Sequence, residues 1–235
     1  EDGTRRRFRL SRPFPDAWRL QSSDAEGRFQ DEGAAQAIAR ELGERLATRP
    51  EELAAEETDD GLTASTPSDR QTVEVKSGPM RITFADESGQ ARVTLEEFAV
   101  TDTGLAMGGP LQEAERLYGT GERFDAVDQR GRCVQIWAED RWCQTEGNSY
   151  LPIPFVPSTG GYGLLVNRYE KMKLDLGNGH RDRWSLSDLD APLDLYVFLG
   201  DDPRAILTSL SSLTGRAAIP PEWEFGMLVS RHGRT

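Results

Sequence analysis

From residue 71 onward the hydrophobic and polar positions alternate with a period of two, the pattern of strands with one buried and one wet face. "TVEV" (72–75), "RITF" (81–84) and "ARVTLEEFAV" (91–100) read as successive strands separated by Ser-Gly-Pro and Glu-Ser-Gly-Gln turns. The alternation is clearest later. Met172, Leu174 and Leu176 oppose Lys171, Lys173 and Asp175, and Leu193, Leu195, Val197 and Leu199 repeat the pattern with Asp194 on the other face. Strands of this kind predict antiparallel sheets stacked as a sandwich. Residues 5–22 read as two short extended pieces broken by Pro13 and Pro15.

Two stretches change the period to that of a helix. In residues 31–49, Ala35, Ile38, Leu42 and Leu46 fall at helical spacing and Pro50 supplies the stop. The apolar stripe is narrow, which fits a surface helix packed on a sheet. Further on, Asp202 stands where an N-cap belongs and Pro203 occupies the first helical position. Ile206, Leu207, Leu210 and Leu213 make the stripe of that helix, and Gly215 ends it. Residues 51–70, acidic and polar, read as a loop or mobile segment. After the second helix, the double proline of "AIPPEWEFGMLVSRHGRT" marks a boundary, and "FGMLVS" reads as a buried strand opening a new unit. No internal repeat of fixed period is visible.

Composition narrows the function classes. The 235 residues suit one large β domain or two small ones, and 23 glycines and 13 prolines fit a turn-rich globular chain. A net charge of −12 argues against a nucleic-acid partner, because phosphate contacts need a basic surface. No apolar run reaches the roughly 18 residues of a membrane span, and no signal core follows the N-terminal arginines. A cytoplasmic setting is therefore expected. Cys133 and Cys143 match neither a redox pair nor a four-ligand zinc site. With only His180 and His232 in the chain, a multi-histidine metal site is excluded, and no cofactor or metal is expected. A serine nucleophile elbow is absent.

"LYGTGERFDAVDQRG" (117–131) raises the question of a nucleotide loop. Gly119, Gly121 and Phe124 give G-x-G-x-x-F, without the third glycine of a dinucleotide fingerprint. The following residues have no helical period, and Glu122 and Asp125 would repel a phosphate. The stretch is therefore read as the corner of a β-sheet.

Several blocks, taken in order, bear a family resemblance: "LYGTGERF", "QRG", "YLPIPFVPSTGGYGLLVN", "LDLYVFLGDDPRAILTSLSSLTGR" and "PPEWEFGMLVSR". Over residues 116–235 the chain resembles the N-terminal region of glycoside hydrolase family 31, the α-glucosidase and α-xylosidase family. The resemblance implies a mainly β fold, a galactose-mutarotase-like antiparallel sandwich packed on a (β/α)8 barrel. It places the sandwich at residues 1–215, within which the helical and acidic stretch at about 31–60 is an insertion that matches no family block. Residues 216–235 become a linker and the first barrel strand. It implies a retaining α-glycosidase whose two catalytic carboxylates lie on later barrel strands, so that no catalytic residue lies in this chain. The expected partners are the carbohydrate substrate and the barrel, on the same or a separate polypeptide.

Relatives of this kind send a loop from the sandwich over the barrel mouth, and "AEDRWCQTEGNSY" (138–150) matches it by position. The resemblance thus implies Asp140, Arg141, Trp142 and Tyr150 as substrate-binding residues, with Gln144 a further candidate. Carboxylates accept paired sugar hydroxyls, and aromatic faces pack on sugar rings. Glu122 and Arg123 are expected to form a structural ion pair at the junction with the barrel. Arg231, near the end of the first barrel strand, is assigned a structural role. Two other classes stay open: a non-catalytic carbohydrate-binding sandwich, and a mutarotase-like epimerase. The latter would need histidine chemistry, whereas His180 in "GNGHRD" reads as a turn residue.

Overall fold

The alternation at 171–176 becomes a rung of apolar side chains running across four strands of a computed structural model of the protein. The structure describes residues 6–14, 17–29, 52–101, 104–139 and 149–227. Val134 lies opposite Leu174, Leu174 opposite Leu186, and Leu186 opposite Met107. All four are buried. Their strands are β9 (Cys133–Ile136), β12 (Met172–Asp175), β13 (Arg183–Leu189) and β8 (Gly104–Pro110). The same sheet continues through β7 (Ala91–Thr101), β6 (Met80–Ala85), β5 (Thr72–Ser77), β4 (Gly61–Ser65) and β3 (Ala54–Thr58). Every pairing in it is antiparallel.

A second antiparallel sheet has five strands in the order β1 (Phe8–Phe14), β2 (Ala17–Ser22), β14 (Asp194–Leu199), β11 (Tyr162–Val166) and β10 (Phe155–Ser158). Its inner face supplies Trp18, Leu20, Leu164, Val166, Leu195 and Val197 to the core shared with the nine-stranded sheet. Trp18 meets Phe84 of the opposite sheet edge to face at 6.1 Å, and its indole N–H donates to Gln71 Oε1 at 2.8 Å. Burying each large apolar side chain is worth about 1.5–3 kcal/mol, so the sandwich is held chiefly by this layer.

Helix α1 (Pro203–Thr214) covers the outer face of the smaller sheet. Asp202 caps it as the sequence predicts, accepting from Ala205 N at 2.8 Å. Ile206 and Leu213 are buried against Phe155, Tyr196 and Phe198. Leu207, assigned to the stripe, is instead half-exposed, because a shallow contact with the sheet needs only the 206–210–213 edge. The same covering corrects the reading of β14. It has no wet face; all its residues are buried. Asp194 is compensated by a two-pronged Arg19 contact (2.8 Å each) and by Asn167 Nδ2 at 2.7 Å.

Residues 51–70 also differ from expectation. Rather than a loop, they contain the β3–β4 hairpin, with Ala54 opposite Ser65 and Thr58 opposite Gly61. β3 is exposed along its length, so its composition is polar, and backbone pairing onto β4 makes it a strand. At the other end, Glu222–Phe225 form a single 3-10 turn, with Trp223, Phe225 and Met227 at the surface. The helix expected over 31–49 lies outside the described residues, as do residues 228–230 of the strand expected over "FGMLVS", whose described part, 225–227, is exposed and not a strand. Among the described residues no helix is long and apolar enough to cross a membrane.

Candidate functional site: the glycine corner and the loop neck

The two glycines of "LYGTGE" answer to backbone geometry. Gly119, Thr120 and Gly121 have φ of +89°, +68° and +94°, the left-handed region that favours glycine. The kink lets residues 117–122 run against residues 151–158. Tyr118 N donates to Pro157 O, Thr120 N to Phe155 O and Glu122 N to Leu151 O, each at 3.0 Å, and Ile153 N donates to Thr120 O at 3.3 Å. The approach is close. A Cβ on Gly119 would stand 2.4 Å from Phe155 O, and one on Gly121 would stand 2.1 Å from Leu151 O. No side chain fits there, and no phosphate cradle is formed. The stretch is a sheet corner.

Two buried polar groups pin the corner. Thr120 is fully buried; its hydroxyl donates to Gly119 O at 2.6 Å and accepts from Arg123 Nε at 2.8 Å. Arg123 Nη2 donates to Gln135 O at 3.1 Å. Arg123 thus bonds within the sandwich, tying the corner to β9, while the Glu122 side chain is exposed. Burial pushes the Arg123 guanidinium below its ordinary value, with Asp125 acting against the shift. Before the corner, the buried Glu115 carboxylate accepts from Ser158 Oγ and Tyr162 OH, each at 2.5 Å, and from Gln112 N at 2.9 Å. Burial first, and then the Glu115 charge, push the Tyr162 phenol well above its usual value.

The corner also holds both ends of the segment implied to reach the sugar. Glu139 N donates to Ser149 O at 3.2 Å, closing a neck. Ser149 is buried; its hydroxyl donates to Glu122 O at 2.6 Å and accepts from Leu151 N at 3.1 Å. Tyr150 therefore stands at the neck with its ring about half-exposed. Asp140, Arg141 and Trp142, together with Gln144, lie outside the described residues, so Tyr150 alone of the implied sugar contacts is placed. Ser149 and Glu115, which fix the neck and the corner, were not singled out in the sequence. Glu115 sits in the charged run "QEAER", which reads as a solvated face, and nothing marks Ser149 among the polar residues around it.

His180 is exposed in a turn, and the neighbouring amides of Gly177, Asn178 and Gly179 donate to the Asp175 carboxylate. Cys133 is an exposed free thiol, and Cys143 lies outside the described residues. Arg231 and His232 lie outside them as well. Among the described residues no group of three or more His, Cys, Asp or Glu side chains could hold a metal ion.

Two antiparallel sheets, a helix on the outer face and a glycine corner clamping a loop neck define a galactose mutarotase-like β-sandwich domain. The family model described as "Glycosyl hydrolase 31 N-terminal galactose mutarotase-like domain" matches residues 7–175. The chain belongs to glycosyl hydrolase family 31, as its N-terminal domain. It is 38% identical over 120 residues to an alpha-xylosidase of Emericella nidulans, covering 51% of this chain and 15% of that protein. It is 28% identical over 185 residues to alpha-glucosidase 2 of Bacillus thermoamyloliquefaciens, covering 75% of this chain and 23% of that one. A solved dextranase of Flavobacterium johnsoniae superposes with a TM-score of 0.81 at 20% identity, over 96% of this chain and 27% of its own. The chain thus spans about a quarter or less of the length of these relatives.

Proposed function

We propose that the chain is the N-terminal sandwich of a retaining α-glycosidase that hydrolyses α-linked glucosides or related sugars such as α-xylosides. The observation that carries this reading is the match of residues 7–175 to the N-terminal domain of a glycosidase family. The names of the relatives, an alpha-xylosidase and an alpha-glucosidase, supply the substrate class. Catalysis then belongs to a barrel that follows the sandwich. One carboxylate attacks the anomeric carbon to form a glycosyl ester, and a second protonates the leaving oxygen and later activates water. Retaining pairs stand about 5–5.5 Å apart. The sandwich contributes the 140–150 segment to the sugar pocket. Asp140 and Arg141 bind sugar hydroxyls, and Trp142 and Tyr150 pack on the ring or the leaving group. The closed neck at Glu139–Ser149 supports this assignment, since it gives the segment a fixed base on a rigid element.

The test uses the native polypeptide carrying the barrel, assayed on p-nitrophenyl α-glucoside and α-xyloside. Asp140→Asn and Trp142→Ala are each expected to raise KM about tenfold, equivalent to about 1.4 kcal/mol of lost binding, with the melting temperature unchanged. An unchanged KM in both variants would remove the segment from the pocket.

A further inference from the structure

At the end of the larger sheet where β8 leaves and β9 begins, three segments border a groove of about 890 Å³, within the roughly 300–1,000 Å³ typical of ligand sites. They are residues 111–116, residues 128–131 and the β12–β13 turn at 177–182. Arg130 stitches them together. Its Nη1 donates to Gln112 O at 2.7 Å and to Glu115 O at 2.8 Å, and its Nη2 donates to Arg181 O at 2.8 Å. Gly131 N donates to Leu176 O at 2.8 Å and Leu111 N to Asp182 O at 2.7 Å, while the Asp175 carboxylate accepts from the amides of Gly177, Asn178 and Gly179. The walls are therefore fixed before any ligand arrives, which lowers the ordering cost of binding. The apolar part of the lining is Leu111 and two glycines. A Cβ on Gly177 would stand 3.4 Å from Leu111 Cδ1, and a Cβ on Gly131 would meet nothing within 4 Å.

The rest of the lining is charged but neutral in sum. Arg116, Arg130 and Arg181 are balanced by Glu113, Asp128 and Asp182, and Asn178 adds an amide. Arg116 and Asp128 pair at 2.7 Å. The side chains of Glu113, Asn178, Arg181 and Asp182 are exposed and make no hydrogen bond or ion pair with another described residue. A phosphate here would meet the carboxylates, and a cation would meet the guanidiniums. Among the described residues no group of three or more His, Cys, Asp or Glu side chains could hold a metal ion. An uncharged ligand that both donates and accepts along its whole length satisfies every group, because carboxylates accept from hydroxyls and guanidiniums donate to them. A sugar chain has that chemistry. We propose that this groove binds a neutral glycan chain carrying α-glycosyl units, the polymer form of the enzyme's substrate. The inference rests on the function proposed above for the identity of the sugar. Among the described residues no aromatic ring lines the groove, so each sugar is held weakly by hydrogen bonds, and a polymer gains by presenting many units close together.

Native gel electrophoresis of the barrel-containing polypeptide, with and without neutral dextran or xyloglucan in the gel, tests the proposal. At least one of these polymers should retard the protein. The double variant Asn178→Ala/Arg181→Ala loses two hydrogen-bonding side chains, so its apparent Kd for that polymer should be at least about tenfold higher. Its melting temperature should be unchanged, because neither side chain bonds within the sandwich. Arg204→Ala, at an exposed position on α1, should leave the retardation as it is. Undiminished retardation of the double variant overturns the proposal, as does free migration of the unsubstituted protein in both neutral polymers. Retardation by dextran sulfate alone would make the groove an anion site and overturns it as well. Hydrolysis of p-nitrophenyl α-glucoside and α-xyloside by the same samples separates this failure from failure of the functional reading. Retardation that the double substitution removes, in a protein without hydrolysis, keeps the groove and removes the glycosidase. Hydrolysis without retardation does the reverse.

Discussion

Substituting Gly121 by alanine should destabilise the sandwich far more than the same change at Gly131, although both glycines have left-handed backbones, at φ +94° and +79°. An alanine forced into that region costs about 1–2 kcal/mol at either site. At Gly131 that is the whole penalty, because a Cβ there meets nothing within 4 Å. At Gly121 the new methyl would stand 2.1 Å from Leu151 O, 2.6 Å from Ile153 N and 2.8 Å from Pro152 Cα. All three are backbone atoms, so no side-chain rotation relieves the contact. The two segments must separate, losing the Glu122–Leu151 hydrogen bond, worth about 1 kcal/mol, and adding overpacking strain of about 1–3 kcal/mol. The expected totals are about 3–6 kcal/mol for Gly121→Ala and about 1–2 kcal/mol for Gly131→Ala. Urea unfolding followed by tryptophan fluorescence measures both. Equal losses in the two variants would refute the close-approach account of the motif.

Three further outcomes are expected. Glu115→Ala leaves the Ser158 and Tyr162 hydroxyls buried without their acceptor and should cost about 3–4 kcal/mol, whereas Tyr162→Phe should cost only about 1 kcal/mol; comparable losses in chemical denaturation would contradict the hub role of Glu115. Asp86 is pushed up by desolvation, but bonds from Ser88, Arg92 and Gln90 outweigh this and hold it at about 2. Its folded value is depressed, so its contribution is present above the ordinary carboxylate value of about 3.9 and is lost as pH falls toward 2. Asp86→Asn should cost about 1 kcal/mol at neutral pH after allowance for solvent screening, and should flatten the acid limb of a melting-temperature profile; an unaltered limb would count against it. Asp202→Ala removes the cap of α1 and should cost about 1 kcal/mol, and no change in melting temperature would mean that the cap contributes nothing.

Legibility in the sequence followed the reach of each interaction. The β5–β7 meander and β12 were readable because alternation reports one buried face directly, and Asp202-Pro203 marked a helix start through local backbone chemistry, whereas β13 was not singled out. β3 was not readable. Its residues are exposed on both faces, and only pairing with β4, invisible in composition, makes it a strand. β14 misled in the opposite sense: Asp194 looked wet, but it is buried against Arg19, far away in sequence, and Asn167. At the candidate site, the glycines of "GTGE" were legible as a corner because the dinucleotide alternative failed on its own requirements. Glu115 and Ser149 were not, since each depends on which distant segments the corner brings together.

A retaining α-glycosidase activity is proposed for the protein that carries this N-terminal domain. Its most direct test is proton NMR of the first sugar released when the native barrel-containing polypeptide cleaves an α-glucoside or α-xyloside. Initial release of the α-anomer, followed by slow mutarotation, is the predicted result. Initial release of the β-anomer would contradict the retaining mechanism, and sugar binding without any cleavage would make the sandwich a binding module instead.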